Sequence, residues 1–249
     1  MRINNYEVVI VFELDETIVL SLGPSLKAIK KNLGGELVTI NAPEDAPPPL
    51  PRIILKLSDS LLKLGIDRIS ISINPPSHVK SSINKSSKFA LQRTVSLIKD
   101  LLALIPHYKW CGIVTNLEFP SEKNYYNSAI EAITPVFDKL IRINRSEKDL
   151  ASFQLQYGVI ENSHFTNYTI SGYESRNIKL ISKKNKGFVP IQISDHEVTE
   201  CGIRIILDIN NKPGGATEDP TKDIENILNK TNDLSKTLSE DLNLIGVLI

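Results

Sequence analysis

Alternation of apolar and polar residues, interrupted by a few stretches at helical spacing, sets the organisation of the chain. Tyr6 to Leu14, YEVVIVFEL, is short and rich in β-branched and aromatic residues, which predicts a strand buried on both faces. After Gly23-Pro24 the residues Leu26, Ile29 and Leu33 recur at helical spacing, and Gly34-Gly35 supplies a stop. Glu36 to Asn41 returns to strand. Ala42 to Pro51 holds five prolines in ten residues and reads as an extended surface crossing. Ile53-Leu55-Leu57 and Ile69-Ile71-Ile73 alternate with polar residues on either side of Ser58-Asp59-Ser60, the pattern of a hairpin. Leu91, Val95, Ile98, Leu102 and Ile105 then form one stripe and predict a helix over 86–104.

The second half opens with a strand over Lys109 to Phe119. A helix follows, with Ile130, Ile133, Phe137, Leu140 and Ile141 on one face and Pro135 placed to kink it. Strand runs at 151–160, 165–172, 177–182, 188–193 and 198–209 alternate with turn residues, which predicts an antiparallel meander. Asp219-Pro220 supplies an N-cap and a first-turn proline to a last helix carrying Ile224, Ile227, Leu228, Thr231, Leu234 and Leu238.

The elements fall into two similar series. Residues 1–106 read strand, helix, three strands, helix. Residues 107–249 read strand, helix, four or five strands, helix. The expected fold is α+β: a duplicated β-α-meander-α unit of two closely packed lobes, with antiparallel sheet and long amphipathic helices on one face. That arrangement resembles the saddle of the TATA-binding protein fold, as a likeness of fold alone. A local echo, Cys111-Gly112-Ile113 and Cys201-Gly202-Ile203, pairs an opening strand with a closing one, so the order of elements supports duplication better than the echo does.

Composition narrows the function classes. The 29 basic and 29 acidic side chains give a formal net charge of zero, which argues against a protein whose first task is to neutralise nucleic-acid phosphates. The apolar run at Val8–Phe12 is too short and too acidic in its flanks for a signal peptide or membrane span, so a cytoplasmic protein is expected. Cys111 and Cys201 sit in strand-like apolar surroundings and read as buried thiols. No sequence motif of a known catalytic class or nucleotide-binding loop is present, and the histidines, His78, His107, His164 and His196, are scattered. No cofactor or metal is implied, and no residue is assigned a catalytic role.

Binding candidates remain. Lys183, Lys184 and Lys186 cluster in a predicted turn; a solvated hairpin tip is the bland reading and contact with a nucleic-acid backbone the sharper one. Lys212-Pro213-Gly214-Gly215 precedes a helix start but reads as a chain-reversing loop, since Glu218 and Asp219 would repel an anion. Asp208 and Asn210 point to the same side of their strand as a polar pair at a sheet rim, for which structural hydrogen bonding is the bland reading and chemistry the sharper one.

Two stretches resemble a sporadically distributed family of bacterial proteins of unknown function. Ser58-Asp59-Ser60 through Asp67-Arg68 to Asn74 is similar to its "SxDxxxLxxxxxDRxxxN" hairpin, and Gly112 with Asn116-Leu117-Glu118-Phe119-Pro120 to its "G..YINRIEIP" strand. Leu207-Asp208-Ile209-Asn210 is similar to its "LLDID" segment. The strand motif here is one residue shorter, lacks the Arg-Tyr before Asn116, has Leu117 in place of Arg, and Asn210 stands for Asp. The resemblance implies a soluble bacterial protein of no established activity, with a patchy distribution of the kind seen for accessory or defence genes. The expected function is a non-enzymatic binding module for a protein partner or small ligand. The alternatives are a hydrolase or transferase assembled from Glu118, Asp208 and a histidine, and a nucleic-acid-binding protein.

Overall fold

The computed structural model describes residues 1–43, 45–102, 104–105, 107–121, 127–140, 153–176, 197–215, 217 and 219–244. In chain order these form β1 (Arg2–Phe12), α1 (Ile18–Leu33), β2 (Glu36–Thr39), β3 (Ile53–Lys56), β4 (Ser60–Leu64), β5 (Arg68–Ile73), α2 (Ser77–Lys80) and α3 (Ile83–Leu102). Then come β6 (Tyr108–Pro120), α4 (Ala129–Leu140), β7 (Gln154–Glu161), β8 (His164–Arg176), β9 (Val198–Asn210) and α5 (Pro220–Leu244). The strand runs expected at 177–182 and 188–193, and the Lys183, Lys184 and Lys186 turn, lie outside the described residues.

Period-2 alternation in every long strand gives the sheet one apolar face, and the helices cover it. All nine strands form one antiparallel sheet in the order β2-β3-β4-β5-β1-β6-β9-β8-β7. The fold is therefore α+β. The opening strands of the two series, β1 and β6, pair at the centre, Val8 opposite Ile113 and Ile10 opposite Cys111. The later strands of each series extend outward from that seam.

One core cluster spans both series. It joins Tyr6, Val8 and Ile10 of β1, Ile69, Ile71 and Ile73 of β5, Cys111, Ile113 and Leu117 of β6, and Ile203, Ile205, Leu207 and Ile209 of β9. Helix residues such as Leu22, Leu97, Ile133 and Ile227 belong to the same cluster, so these helices pack on one side of the sheet. Burying each such side chain contributes about 2 kcal/mol gross, most of it offset by chain ordering.

Three local differences from the sequence reading have physical causes. Helix α1 begins ahead of Gly23-Pro24 and takes the proline inside: Asp15 Oδ1 accepts from Thr17 N (2.8 Å) in the turn that leads into it, and Ile18, Leu22, Leu26 and Ile29 bury one stripe on either side of the proline. Four strands, not three, lie between α1 and α3: Leu62 and Leu64 alternate with Leu61 and Lys63 as a separate strand, closed by a turn in which Gly65 N donates to Arg68 O (2.9 Å).

The third difference is the inner line of α3. It runs through Ser87, Ala90, Thr94, Leu97 and Leu101 rather than Leu91 and Val95. Ser87 is tolerated there because its hydroxyl bonds the Tyr6 hydroxyl (3.0 Å), donates to Ile83 O (3.0 Å) and pairs with Asn232 Oδ1 of α5. Burial pushes the Tyr6 phenol up to about 12 despite the Ser87 bond, so it stays protonated as a core hydrogen-bonding group.

Expected features also recur in detail. Gly34 and Gly35 end α1 at φ 76° and 102°, and a Cβ on Gly35 would lie 2.2 Å from Lys56 O. The hairpin turn after Leu57 forms around Asp59, whose Oδ1 accepts from Arg93 Nε (3.0 Å) and Nη2 (2.6 Å), tying it to α3. Asp219 Oδ1 caps α5 by accepting from Thr221 N (2.9 Å) and Lys222 N (3.2 Å).

Candidate functional site: the open face of the sheet

The same alternation that sends isoleucines into the core aims every second side chain at the opposite face. On β6 these are Gly112, Val114, Asn116, Glu118 and Pro120; register sets them beside Asn210, Asp208, Ile206, Arg204 and Gly202 of β9. On β1 the neighbours are Glu7 beside Val114, Asn5 beside Asn116 and Arg2 beside Glu118. The next strand out, β8, adds Asn167 beside Asp208, Thr169 beside Ile206 and Ser171 beside Arg204. None of these residues belongs to the hydrophobic core cluster. The face mixes amides, hydroxyls and charges with the apolar Val114, Ile206 and Pro120 over the seam of the sheet.

Its anchor is a four-charge cluster. The Glu118 side chain is 3% exposed, and its two oxygens are divided between two guanidinium groups. Arg2 reaches Oε2 through Nε (2.9 Å) and Nη2 (2.6 Å); Arg204 reaches Oε1 through Nε (3.2 Å) and Nη2 (2.7 Å). Arg2 continues to Glu200, donating from Nη1 to Oε2 (2.9 Å) and from Nη2 to Oε1 (2.5 Å). The Tyr173 hydroxyl donates to the same Oε1 (2.9 Å), and its ring lies 5.2 Å from Arg204 Cζ.

Burial would raise the Glu118 carboxyl, but bonds from Arg204, Arg2 and Asn4 hold it below the ordinary carboxylate value. The Tyr173 phenol is pushed up by burial and by its bond to Glu200. Two positive and two negative charges cancel within the cluster, and the cross-strand forks fix the register of β1, β6 and β9. Arg204 keeps one amino group, Nη1, that donates to no described residue, on a side chain 38% exposed.

A second element sits further along the face. Asp208 makes no ion pair among the described residues; burial raises its carboxyl, and Asn210 partly offsets that by hydrogen bonding. Between the two elements, Asn116 Oδ1 is buried without a hydrogen-bond partner among the described residues. Glu118, Asn116, Asp208 and Asn210 therefore share one face through the register of β6 with β9.

They do not form one catalytic constellation. Asp208 lies four residues from Arg204, the partner of Glu118, or ~13 Å along the strand. His164 starts β8 near Ser163 (3.3 Å), while His78 is in α2 and His107 precedes β6. The triad of Glu118, Asp208 and a histidine is not assembled among the described residues. No group of three His, Cys, Asp or Glu among them is placed to hold a metal, and no helix among them is long and apolar enough to cross a membrane.

Sequence reasoning missed Arg2, Arg204 and Glu200. One signal was present: the echo. Antiparallel pairing of β6 with β9 sets Pro120 opposite Gly202 and Gly112 opposite Asn210, so the two Cys-Gly-Ile triplets sit at opposite ends of one ladder. Each cysteine carbonyl accepts from the residue just past the other strand, Asn211 N to Cys111 O (3.1 Å) and Ser121 N to Cys201 O (3.0 Å). Both cysteines are buried thiols, and burial raises the Cys111 thiol to about 12, which leaves it unreactive. Gly202 is needed for close approach, since a Cβ there would lie 2.2 Å from Phe119 O.

At the other end of the ladder, Asp223 of α5 gathers Tyr108 Oη (2.9 Å), Asn211 Nδ2 (2.9 Å) and Thr217 N (3.1 Å) on Oδ2. This buried network fastens the loop after β9 to the helix. No family model and no curated protein matches the chain.

Proposed function

We propose that the chain is a non-enzymatic binding module that receives a polar ligand or partner segment on the open face of its sheet. One observation carries this reading: on the face over the β1-β6-β9 seam, amide, hydroxyl and charged side chains are held in fixed register around a few apolar ones such as Val114 and Ile206, while the opposite face is spent on packing. The Glu118 cluster serves as a rigid frame. Arg204 Nη1, Asn116 and Asp208 are the groups with bonding capacity left over.

Duplication fits the same reading. The outward order of strands from the β1-β6 seam runs alike on both sides, as two copies of one β-α-meander-α unit would produce, and the likeness to a saddle follows from it. Nucleic acid is the less favoured ligand: basic Arg2, Lys63, Arg68 and Arg204 on this face are interleaved with acidic Glu7, Glu118, Glu200 and Asp208, so no stripe of positive charge tracks a phosphate backbone.

The test is methyl-resolved NMR of Ile- and Val-labelled protein against a fragment set of amides, polyols and carboxylates. Shifts at Val9, Val114 and Ile206, with Val8, Ile113 and Ile205 unmoved, are expected. Shifts confined to helix-side methyls would reject the assignment.

A further inference from the structure

Charge on the open face does not balance alike from row to row. Across β1, β6 and β9, the row of Arg2, Glu118 and Arg204 is neutralised together with Glu200. In the adjoining row, Asn5, Asn116 and Ile206 carry no charge. Then come Glu7, Val114 and Asp208, one carboxylate on either side of an apolar side chain, and beyond them Val9, Gly112 and Asn210. Neither Glu7 nor Asp208 makes an ion pair among the described residues. Their outer neighbours in register are uncharged, Ser72 beside Glu7 and Asn167 beside Asp208. The basic side chains on this face outside the Glu118 cluster are placed elsewhere: Arg68 pairs with Asp67 (2.9 Å), Lys63 stands on β4, two strands out from β1, and Lys212 Nζ lies 5.9 Å from the centre of the Trp110 ring.

We infer, resting on the open face as the recognition surface, that this row binds an aliphatic diamine, with one ammonium group at each carboxylate and the methylene stem across Val114. Charge selects the ligand: two negative charges without a basic neighbour in register call for two positive ones. Spacing selects its length. Glu7 and Asp208 flank β6 on either side, two strand spacings or about 10 Å apart at their Cα atoms. The apolar Val114 between them suits hydrocarbon rather than a second polar group.

Other cations fit less well. A divalent metal ion needs its oxygen ligands at about 2.6 Å or closer, which carboxylates on two strands separated by a third do not offer, in keeping with the lack of a metal-holding group among the described residues. One lysine or arginine side chain brings a single charge and leaves the second carboxylate unmatched. Asn116 borders the row, and its Oδ1 has no donor among the described residues; a rotation of this half-buried amide turns that oxygen toward an ammonium N–H. Asp208 already accepts from Asn210, which orients its carboxyl on the same face.

Titration calorimetry of the full chain at low salt, where part-exposed ion pairs are least screened, tests this with three probes. Hexamethylenediamine spans the row, ethylenediamine is too short, and hexylamine carries one ammonium group. The expected result is that hexamethylenediamine binds about tenfold tighter than either of the others, because its second contact is intramolecular. Glu7→Gln or Asp208→Asn should each reduce it to the level of hexylamine, and Glu225→Gln on the outer surface of α5 should change nothing. Equal affinity for the three probes, a preference that survives both substitutions, or tighter binding of a peptide with a single lysine would overturn the diamine. Methyl shifts separate this from the wider reading. Val114 should move with hexamethylenediamine; if amide or carboxylate fragments move Val9, Val114 and Ile206 and the diamine does not, the open face stands and the diamine is refuted. If none of these ligands moves them, both fall.

Discussion

The two faces of the central strands are built by opposite physics from adjacent residues. Toward the helices, Val8, Ile113 and Ile205 are fully buried and dry, and their contribution is the transfer of apolar surface. Toward the open side, Arg2, Glu118 and Arg204 also lose water, Glu118 almost completely, yet the desolvation is offset by charged forks rather than by packing. A sheet needs only one such face to stay folded. A face that meets the larger desolvation penalty and places unfilled valences beside it is the one to associate with recognition.

The contrast can be broken, first on the packed side. Ile205→Ala should cost about 3 to 4 kcal/mol through a cavity, at any pH at which the fold is intact. Thermal unfolding should show a drop of about 10 °C; a loss of under 1 kcal/mol would mean the core repacks freely.

Glu118→Gln should cost less, about 2 kcal/mol, because the neighbouring guanidinium groups remain partly exposed and rehydrate. Its sign with pH distinguishes it from a packing loss. The Glu118 carboxyl is held below its unfolded value, so its stabilisation is full above the ordinary carboxylate range and is lost as pH falls through the lowered value. The gap between parent and variant should therefore close in acid, whereas the Ile205→Ala gap should not.

Asp208→Asn should have the smallest effect and the opposite sign. Burial raises this carboxyl, so the ionised form is disfavoured in the fold; the stabilising protonated form is present at low pH and lost as pH rises through the raised value. With partial exposure screening the charge, the variant should gain about 0.5 kcal/mol near neutrality and nothing at pH values where the parent is protonated. A variant destabilised at neutral pH would indicate that the carboxylate is needed by the fold rather than left over for a ligand.

What could be read from the sequence divides along the same line. Apolar alternation and helix caps are local signals, so the strands β3 and β5, the Asp219 cap and the stop at Gly34 follow from nearest neighbours. Glu118 and Asn116 stood out through the family likeness of their strand, and Asp208 with Asn210 as a polar pair on one side of an apolar strand. Arg2, Arg204 and Glu200 were not, because nothing near residue 2 indicates a partner at 118 or 200; only the registers of β1 with β6 and of β6 with β9 bring them together. Ser87 and Thr94 show the same limit within the core. A scale of hydrophobicity places them outside, and for Ser87 it is the hydroxyl of Tyr6, eighty-one residues away, that lets it inside.

The most direct test of the open face as the recognition surface is site-specific photo-crosslinking in living cells. A photoreactive side chain at Thr169 or Ser72, on the open face, is compared with one at Lys99 or Glu225, on the outer surfaces of α3 and α5. A discrete adduct at the open-face positions and none at the helix positions is the predicted result. Adducts formed from the helix positions alone would contradict it.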